Sequence, residues 1–324
     1  MSRAIRVHRT GGPEVLTLES VVVPEPGPGE ALIAHRAIGI NYIDTYHRSG
    51  LYPVALPSGI GVEAVGVVLR VGPSVSEVTP GERVGYVSGP PGAYAEERVV
   101  PAARLVKLPD SIDDETAAAA LLKGMTVEAL IRRVFRVEPG QNVLLHAAAG
   151  GVGLLACQWL ARLGARVIAT VGTDEKAELA RTHGASDVIV STREDFPTRV
   201  RELTSGAGVP VVFDSVGKST FDGSLACLAR RGTLVCFGNA SGKPAPLEVQ
   251  RLATQGSVFL TRPVLYDYIA TREELLASAR ALFDVLADGS VRVRIGQRFA
   301  LDQAVRAHEA LEARATTGSS LLLP

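Results

Sequence analysis

The sequence predicts a two-domain α/β protein: a doubly wound parallel sheet in the middle of the chain, joined to a β-rich, barrel-like domain. Three observations carry that prediction. From about residue 142 to 261, apolar strand-like runs alternate with amphipathic helix-like runs, the pattern of repeated β-α-β units. The first 120 residues instead hold short β-rich runs cut by Pro and Gly clusters. At 324 residues the chain exceeds the about 250–300 that one hydrophobic core serves.

In the first domain the strand-like runs are Ser2 to His8, Glu30 to Ile40, Ala64 to Val71, Arg83 to Val87 and Tyr94 to Val100. Punctuation such as Pro24-Glu-Pro-Gly-Pro-Gly29 forces tight connections between them, as a compact, largely antiparallel domain requires. Ser111 to Ala120 reads as a helix leading out of it, with Ser111 as N-cap and Asp114 three residues on.

The strand Val143 to His146 then runs into Ala147-Ala-Ala-Gly-Gly-Val-Gly153 and the helix Leu154 to Leu163. The spacing Ala147-x-x-Gly150-x-x-Gly153 keeps side chains short where backbone approaches a pyrophosphate and where helix packs on strand. Free N–H groups and the helix dipole face the anion. Alone, such a turn also closes ordinary strand–helix connections. The alternation that follows distinguishes the two: Arg166 to Val171, Glu175 to His183, Asp187 to Val190, Asp195 to Leu203, Val209 to Ser215, Ser219 to Ala229, Thr233 to Phe237 and Val258 to Thr261. Ligands of such sheets sit at the carboxyl ends of the strands, here Ala147 to Gly153, Val171 to Lys176, Ser215 to Gly217 and Phe237 to Asn239. Beyond Pro263 the alternation stops. Thr271 to Leu286 reads as a long amphipathic helix, and the tail is expected to return to the first domain, giving domains of 1–122 with 264–324 and of 123–263.

NAD-preferring sites place an acid about 20 residues past the glycines to take the ribose hydroxyls. Nineteen positions after Gly153 stands Gly172, which leaves room for a 2′-phosphate. Lys176, one helical turn on, is a candidate cation for it, or else a solvated surface lysine; Asp174 lies nearby. NADPH is the cofactor this pattern favours.

Charge is balanced at 34 basic and 34 acidic residues, with no basic run to track a phosphate backbone, so nucleic acid is not an expected partner. No apolar stretch reaches the about 18 residues of a membrane span, and Met1-Ser-Arg-Ala-Ile-Arg has no apolar signal core, so a cytoplasmic location is expected. Cys157, Cys227 and Cys236 all lie in apolar runs of the second domain and read as buried thiols. Ser257 to Thr261 reads as an edge strand able to pair with its own copy, which predicts a homodimer.

Several motifs together resemble the medium-chain dehydrogenase/reductase superfamily, and within it the zinc-independent quinone oxidoreductases of the zeta-crystallin type. They are Asn41-Tyr-Ile-Asp-Thr-Tyr46, Arg48-Ser-Gly-Leu-Tyr-Pro53, Leu122-Lys-Gly-Met-Thr126, His146-Ala-Ala-Ala-Gly-Gly-Val-Gly153 on to Gln158, Asp214-Ser-Val-Gly217 and Arg314-Ala-Thr-Thr-Gly-Ser-Ser320. The resemblance spans the chain and implies a Rossmann domain inserted in a GroES-like catalytic domain, with hydride passing from NADPH to a quinone. It implies that Asn41 and Thr126 hold the nicotinamide end, that Ala149, Gly150, Gly151 and Val152 meet the pyrophosphate, and that Gly172 and Lys176 frame the adenosine phosphate. Ser215, Phe237, Gly238 and Asn239 would line the nicotinamide ribose, while Thr261, Arg262 and Arg314 would close the cleft. Relatives often carry a tyrosine after the third strand near the adenosine phosphate; Ser191-Thr-Arg193 stands there instead, with Arg193 as its substitute.

Zinc-dependent members place Gly-His-Glu in the first domain, whereas this chain reads Gly61-Val62-Glu63; a ligand cysteine is replaced near Ile40-Asn41, and residues 1–156 contain no Cys. Without a Lewis acid, alcohol oxidation is disfavoured and an acceptor that takes hydride readily, a quinone or an activated alkene, is expected. Tyr46 and Tyr52 are candidates to contact the acceptor or give a proton, against a packing role. His47 reads as a surface-loop histidine, and Trp159 as core. Two alternatives stand beside the quinone reductase: an NADPH-dependent alkene or enone reductase, and an NADPH-binding structural or RNA-binding protein of crystallin type.

Overall fold

The computed structural model describes every residue except Ser88. The chain first forms β1 (Ser2–Val7), β2 (Thr17–Val21), β3 (Glu30–Ile40), α1 (Tyr42–Ser49), β4 (Ser58–Gly59), β5 (Glu63–Val71), β6 (Arg83–Val87), β7 (Glu97–Pro101), β8 (Leu105–Lys107) and α2 (Asp114–Ala129). Then come β9 (Asn142–Leu145), α3 (Gly151–Arg162), β10 (Arg166–Val171), α4 (Asp174–Thr182), β11 (Asp187–Val190), α5 (Phe196–Leu203), β12 (Val209–Asp214), α6 (Phe221–Cys227), β13 (Leu228–Cys236), α7 (Gln250–Thr254), β14 (Phe259–Thr261) and α8 (Leu265–Tyr268). The tail adds α9 (Arg272–Ala287), β15 (Ile295–Ala300), α10 (Ala304–Glu312) and β16 (Ser319–Leu323). They form two compact units: Met1–Met125 with Ile269–Ala287 and Val293–Pro324, and Thr126–Tyr268 with Asp288–Arg292.

Unit 1 is built around β3. At 11 residues it is long enough to serve three neighbours: β7 along Glu30 to Ala34, β16 along Ile38 to Ile40, and β5 along its other edge. Two register shifts against β5, at Leu32/Ile33 and His35/Ala37, coil the strand so that it can do so. Gly66 of β5 sits where a Cβ would stand 2.0 Å from Ala34 O, so the two strands approach closely only because it is glycine. Ile33, Ile38, Tyr94, Leu105, Leu301 and Leu322 share one core, so the C-terminal tail completes the unit.

Unit 2 holds a six-stranded, wholly parallel sheet in the order β11-β10-β9-β12-β13-β14. The order reverses direction between β9 and β12, which defines a switch point at their carboxyl ends. Leu144, Ile168, Ile189, Val212 and Leu234 form its core with Phe221, one from each of the five strands β9 to β13, as a sheet covered on both faces requires.

Local chemistry adjusts several sequence-based expectations. The helix expected from Ser111 is capped by Asp113, whose Oδ1 accepts Thr116 N at 2.8 Å; a carboxylate one residue before the helix outcompetes the earlier hydroxyl. That helix also runs on to Ala129 and into a π-helical turn, Leu130–Val134. The helix expected over Ser219 to Ala229 is shorter, because Leu228 already pairs with Val209, ahead of a bulge that holds Arg231 at φ 60°. Trp159 is buried in α3. Among the described residues no helix is long and apolar enough to cross a membrane.

All three cysteines are free and buried in unit 2, and burial pushes each thiol up to about 12. The thiolate is the reactive form. Titration with a thiol reagent is therefore expected to find none reactive in the native protein and three after denaturation; rapid native labelling would contradict the burial.

Candidate active site

The turn after β9 has the close helix–strand packing that its spacing predicts. Ala147 adopts φ 53°, Gly150 N donates back to Ala147 O at 3.0 Å, and α3 begins at Gly151 with Gly150 as its extended N-cap. Gly153 is where the packing is decided: a Cβ there would lie 2.4 Å from Ala147 O and 2.6 Å from Ala148. At Gly150 a Cβ would meet only Ala147 O, at 3.3 Å. Ala149 and Gly150 thus keep side chains short ahead of α3, and Gly151 and Val152 carry the N–H groups of its first turn at the carboxyl end of the sheet, the arrangement an anion requires.

Three neighbouring strand ends are locked to this turn by buried polar groups. Asp214, fully buried at the end of β12, accepts Val216 N (2.8 Å) and Gly217 N (3.0 Å) on Oδ1 and the hydroxyls of Thr220 (2.7 Å) and Ser224 (2.8 Å) on Oδ2. Because Ser224 spends its proton on the carboxylate, it accepts from His146 Nε2 at 2.9 Å, and His146 Nδ1 accepts from Thr170 Oγ1 at 2.7 Å. Burial lowers the His146 pKa, which favours the neutral ring that this arrangement needs. The network ties β9, β10, α6 and β12 together and fixes the backbone from Ser215 to Gly217. Gly238 packs over it: its Cβ would lie 2.3 Å from Ser215 O.

The structure brings most of the sequence-predicted residues of unit 2 into two groups. Arg262 Nη1 donates to Cys236 O at 2.8 Å, and Asn239, with its amide oxygen toward the guanidinium, accepts from Nη2 at 3.1 Å and donates to Gly238 O at 3.0 Å. Phe237, Gly238, Asn239, Thr261 and Arg262 therefore sit together at the ends of β13 and β14, where Val235 pairs with Thr261. At the ends of β10 and β11, Thr192 Oγ1 donates to Gly172 O (3.0 Å), Ser191 Oγ to Val171 O (3.1 Å), and Lys176 N to the N-cap Thr173 Oγ1 (3.3 Å). Arg193 grips Asp174 with two bonds of 2.6 Å, so the acid beside Lys176 is neutralised. Nothing lies within 4 Å of a Cβ built on Gly172. Thr126 is on α2 at the start of unit 2.

In unit 1, Asn41 caps α1 and both its nitrogens are committed: N to Asp44 Oδ2 and Nδ2 to Glu63 Oε2, each at 2.8 Å. Tyr46 is buried and meets Tyr52 edge-on with ring centroids 5.1 Å apart, while Tyr52 N donates to Tyr46 O at 3.0 Å. His47 stands on α1, half-buried, and not in the surface loop expected of it; burial lowers its pKa, and Nδ1 has no hydrogen-bond partner. Burial also pushes the Asp44 carboxyl up to about 7, against the pull of Asn41 N–H and Tyr94 O–H. Arg314 is exposed in the turn before β16, at φ 56°. Sequence reading gave no role to Asp44, Lys123 or Asp214; the Asn-x-x-Asp capping pattern was a usable local signal for the first.

Residues 27–110 match the family described as alcohol dehydrogenase GroES-like domain, and residues 151–278 the family described as zinc-binding dehydrogenase. The quinone oxidoreductase of Pseudomonas aeruginosa is 50% identical, with 100% of each chain covered. The crystal structure of Escherichia coli quinone oxidoreductase complexed with NADPH superimposes with a TM-score of 0.98 at 47% identity, covering 99% of this chain and 100% of that one.

The chain belongs to the quinone oxidoreductase family of medium-chain dehydrogenases/reductases.

Another relative is the 2-haloacrylate reductase of a Burkholderia species, 43% identical over 100% of this chain and 99% of its own.

The zinc implied by one family description does not fit the residues present. Val62 offers no lone pair, and Glu63 is fully buried and already holds Leu122 N (2.6 Å), Asn41 Nδ2 (2.8 Å) and the Lys123 ammonium (3.5 Å). A second cation there would face the first. Among the described residues no group of three or more His, Cys, Asp or Glu is arranged to hold a metal.

Overpacking of a filled site costs about 1–3 kcal/mol. Gly153→Ala is therefore expected to lower the unfolding free energy by about that much, and Gly150→Ala by clearly less; denaturant melts of the two, side by side, decide it, and equal losses would contradict the packing argument.

Proposed function

We propose that the protein is an NADPH-dependent quinone reductase that passes a hydride from NADPH to a quinone without a metal. The single observation that carries the reading is the full-length likeness to quinone oxidoreductases, one of them solved as an NADPH complex. Two features of this chain support it: an open, acid-free strand end at Gly172, and a lysine ammonium on Glu63 where a zinc enzyme needs an open donor.

NADPH supplies the hydride when bound; the protein supplies orientation and charge. In unit 2, Ala149, Gly150, Gly151 and Val152 receive the pyrophosphate, Gly151 and Val152 with the N–H groups of the first helical turn. Gly172 leaves space for the 2′-phosphate, Lys176 counters its charge, and Ser191 and Arg193 lie beside it, Arg193 in the place of a tyrosine. Ser215, Phe237, Gly238 and Asn239 line the nicotinamide ribose, with Thr261 and Arg262 behind them and Thr126 and Arg314 as further contacts. In unit 1, Asn41 orients the nicotinamide, because with Nδ2 spent on Glu63 its Oδ1 is the atom offered to a donor. Tyr46 and Tyr52 contact the acceptor, and a phenol O–H is positioned to protonate its oxygen.

The protein acts in the cytoplasm as a homodimer. β14 ends the sheet, and its Phe259 and Leu260 are 60% and 36% exposed, an apolar edge that a second copy would cover.

The deciding assay is nicotinamide oxidation, with NADPH and NADH, over a panel of quinones and enones. Quinone turnover with NADPH is expected. Turnover of enones alone, as the haloacrylate reductase relative would favour, replaces the quinone by an activated alkene; NADPH binding without turnover of either overturns the enzyme reading. Lys176→Ala is expected to raise KM for NADPH about ten- to hundredfold, the worth of a charge-assisted contact, and to leave KM for NADH unchanged. Light scattering should give about twice the 34.1-kDa chain mass; a monomer would remove the dimer.

A further inference from the structure

Beneath Asn41, unit 1 carries a line of buried polar side chains that hydride transfer itself does not use. Asp44 Oδ2, which holds Asn41 N at 2.8 Å, also accepts Tyr94 OH at 2.9 Å. Tyr94 OH lies 3.1 Å from His308 Nε2, and His308 Nδ1 lies 3.1 Å from Arg48 Nη1. Arg48 closes the line on Glu312 with bonds of 3.1 and 2.7 Å. Arg48 is 2% exposed and Glu312 38%, so the line begins in solvent and ends under Asn41.

Donor rules give the line a direction. A guanidinium only donates, so Nδ1 of His308 is its bare nitrogen. Nε2 then carries the proton and donates to the Tyr94 oxygen, which leaves the Tyr94 O–H for Asp44. Burial, and secondarily Arg48, hold His308 down to about 3, so the ring stays neutral near neutral pH. From Arg48 inward each proton points toward Asp44, while the same guanidinium donates outward to Glu312. On the other side, Glu63 takes Asn41 Nδ2 and is itself held by Leu122 N and Lys123.

Stability alone does not account for such a line, since apolar residues of the same volume serve a core as well or better than buried ion pairs. What it provides is a fixed place and polarity for Asp44, and through it for the first residue of α1. We propose that Glu312, Arg48, His308, Tyr94 and Asp44 form a positioning relay, with Glu312 holding Arg48 and the donor order running from Arg48 to Asp44, that sets Asn41 for hydride transfer. The inference rests on the assignment of Asn41 to the nicotinamide.

The test compares Tyr94→Phe, His308→Leu and His308→Gln with the parent enzyme and with Asn41→Ala. The amide of His308→Gln keeps an acceptor for Arg48 and a donor for Tyr94, whereas leucine keeps neither. The readouts are kcat/KM with NADPH and a quinone, the isotope effect with NADPH deuterated at the transferred position, and Tm. Tyr94→Phe and His308→Leu are expected to lose about tenfold or more in kcat/KM, with a larger isotope effect, as sub-ångström misplacement of a reacting pair does; His308→Gln is expected to restore most of it. The inference is overturned if Tm falls but kcat/KM and the isotope effect stay at parent values, or if Gln and Leu behave alike. Tyr94→Phe removes one oxygen only and keeps the test open should His308→Leu not fold. If Asn41→Ala is itself silent, the site assignment fails; if Asn41→Ala is impaired and the relay variants are not, the relay alone fails.

Discussion

A carboxylate taken out of water must be given donors, and three buried ones fix the loop after β12 and the start of α1. Asp214 gathers two backbone N–H groups and two hydroxyls, fixing the loop after β12 and, through Ser224 and His146, the ends of β9 and β10. Asp44 and Glu63 do the same for Asn41 in unit 1. Removing one partner of such a group leaves a buried polar atom without a hydrogen bond, which costs more than the bond itself was worth. That is why strand ends and a helix start, the segments of a fold most free to wander, are held here at fixed hydrogen-bond distances.

The parallel sheet depends on a second constraint, the closeness of backbone to backbone. Gly153 lets α3 descend onto the turn after β9, and Gly238 lets the turn after β13 settle on Ser215. Both are spaces measured in tenths of an ångström, and both lie at carboxyl ends of strands where a doubly wound sheet exposes its N–H groups. The same glycines that let the backbone close up therefore also fix the candidate site's turns to the core.

Charge is used differently in the two units. In unit 2 the pair Asp174–Arg193 is exposed and worth little to stability, but it removes the repulsion an acid would exert beside Lys176. In unit 1 the ammonium of Lys123 faces Glu63 at 3.5 Å where both side chains are buried. The first pair stands in solvent; the second is closed off from it.

The sequence by itself determined the fold class, the glycine-rich turn after β9, the acid-free end of β10 and the burial of the cysteines, because each follows from a period or spacing within a few residues. It also set out the residues of the candidate site, since each belongs to a short contiguous motif. Tertiary structure alone decided which of them meet. Arg48 and His308 are 260 positions apart and hydrogen-bonded, Glu63 reaches Asn41 across 22 positions, and Arg193 finds Asp174 across 19. No local pattern encodes such pairs. The same holds for the cap at Asp113 and the bulge that shortens α6, where strand pairing and a competing side chain overrode propensity. Periodicity is written along the chain, whereas the partner of a buried charge is chosen by the packing that excludes water around it.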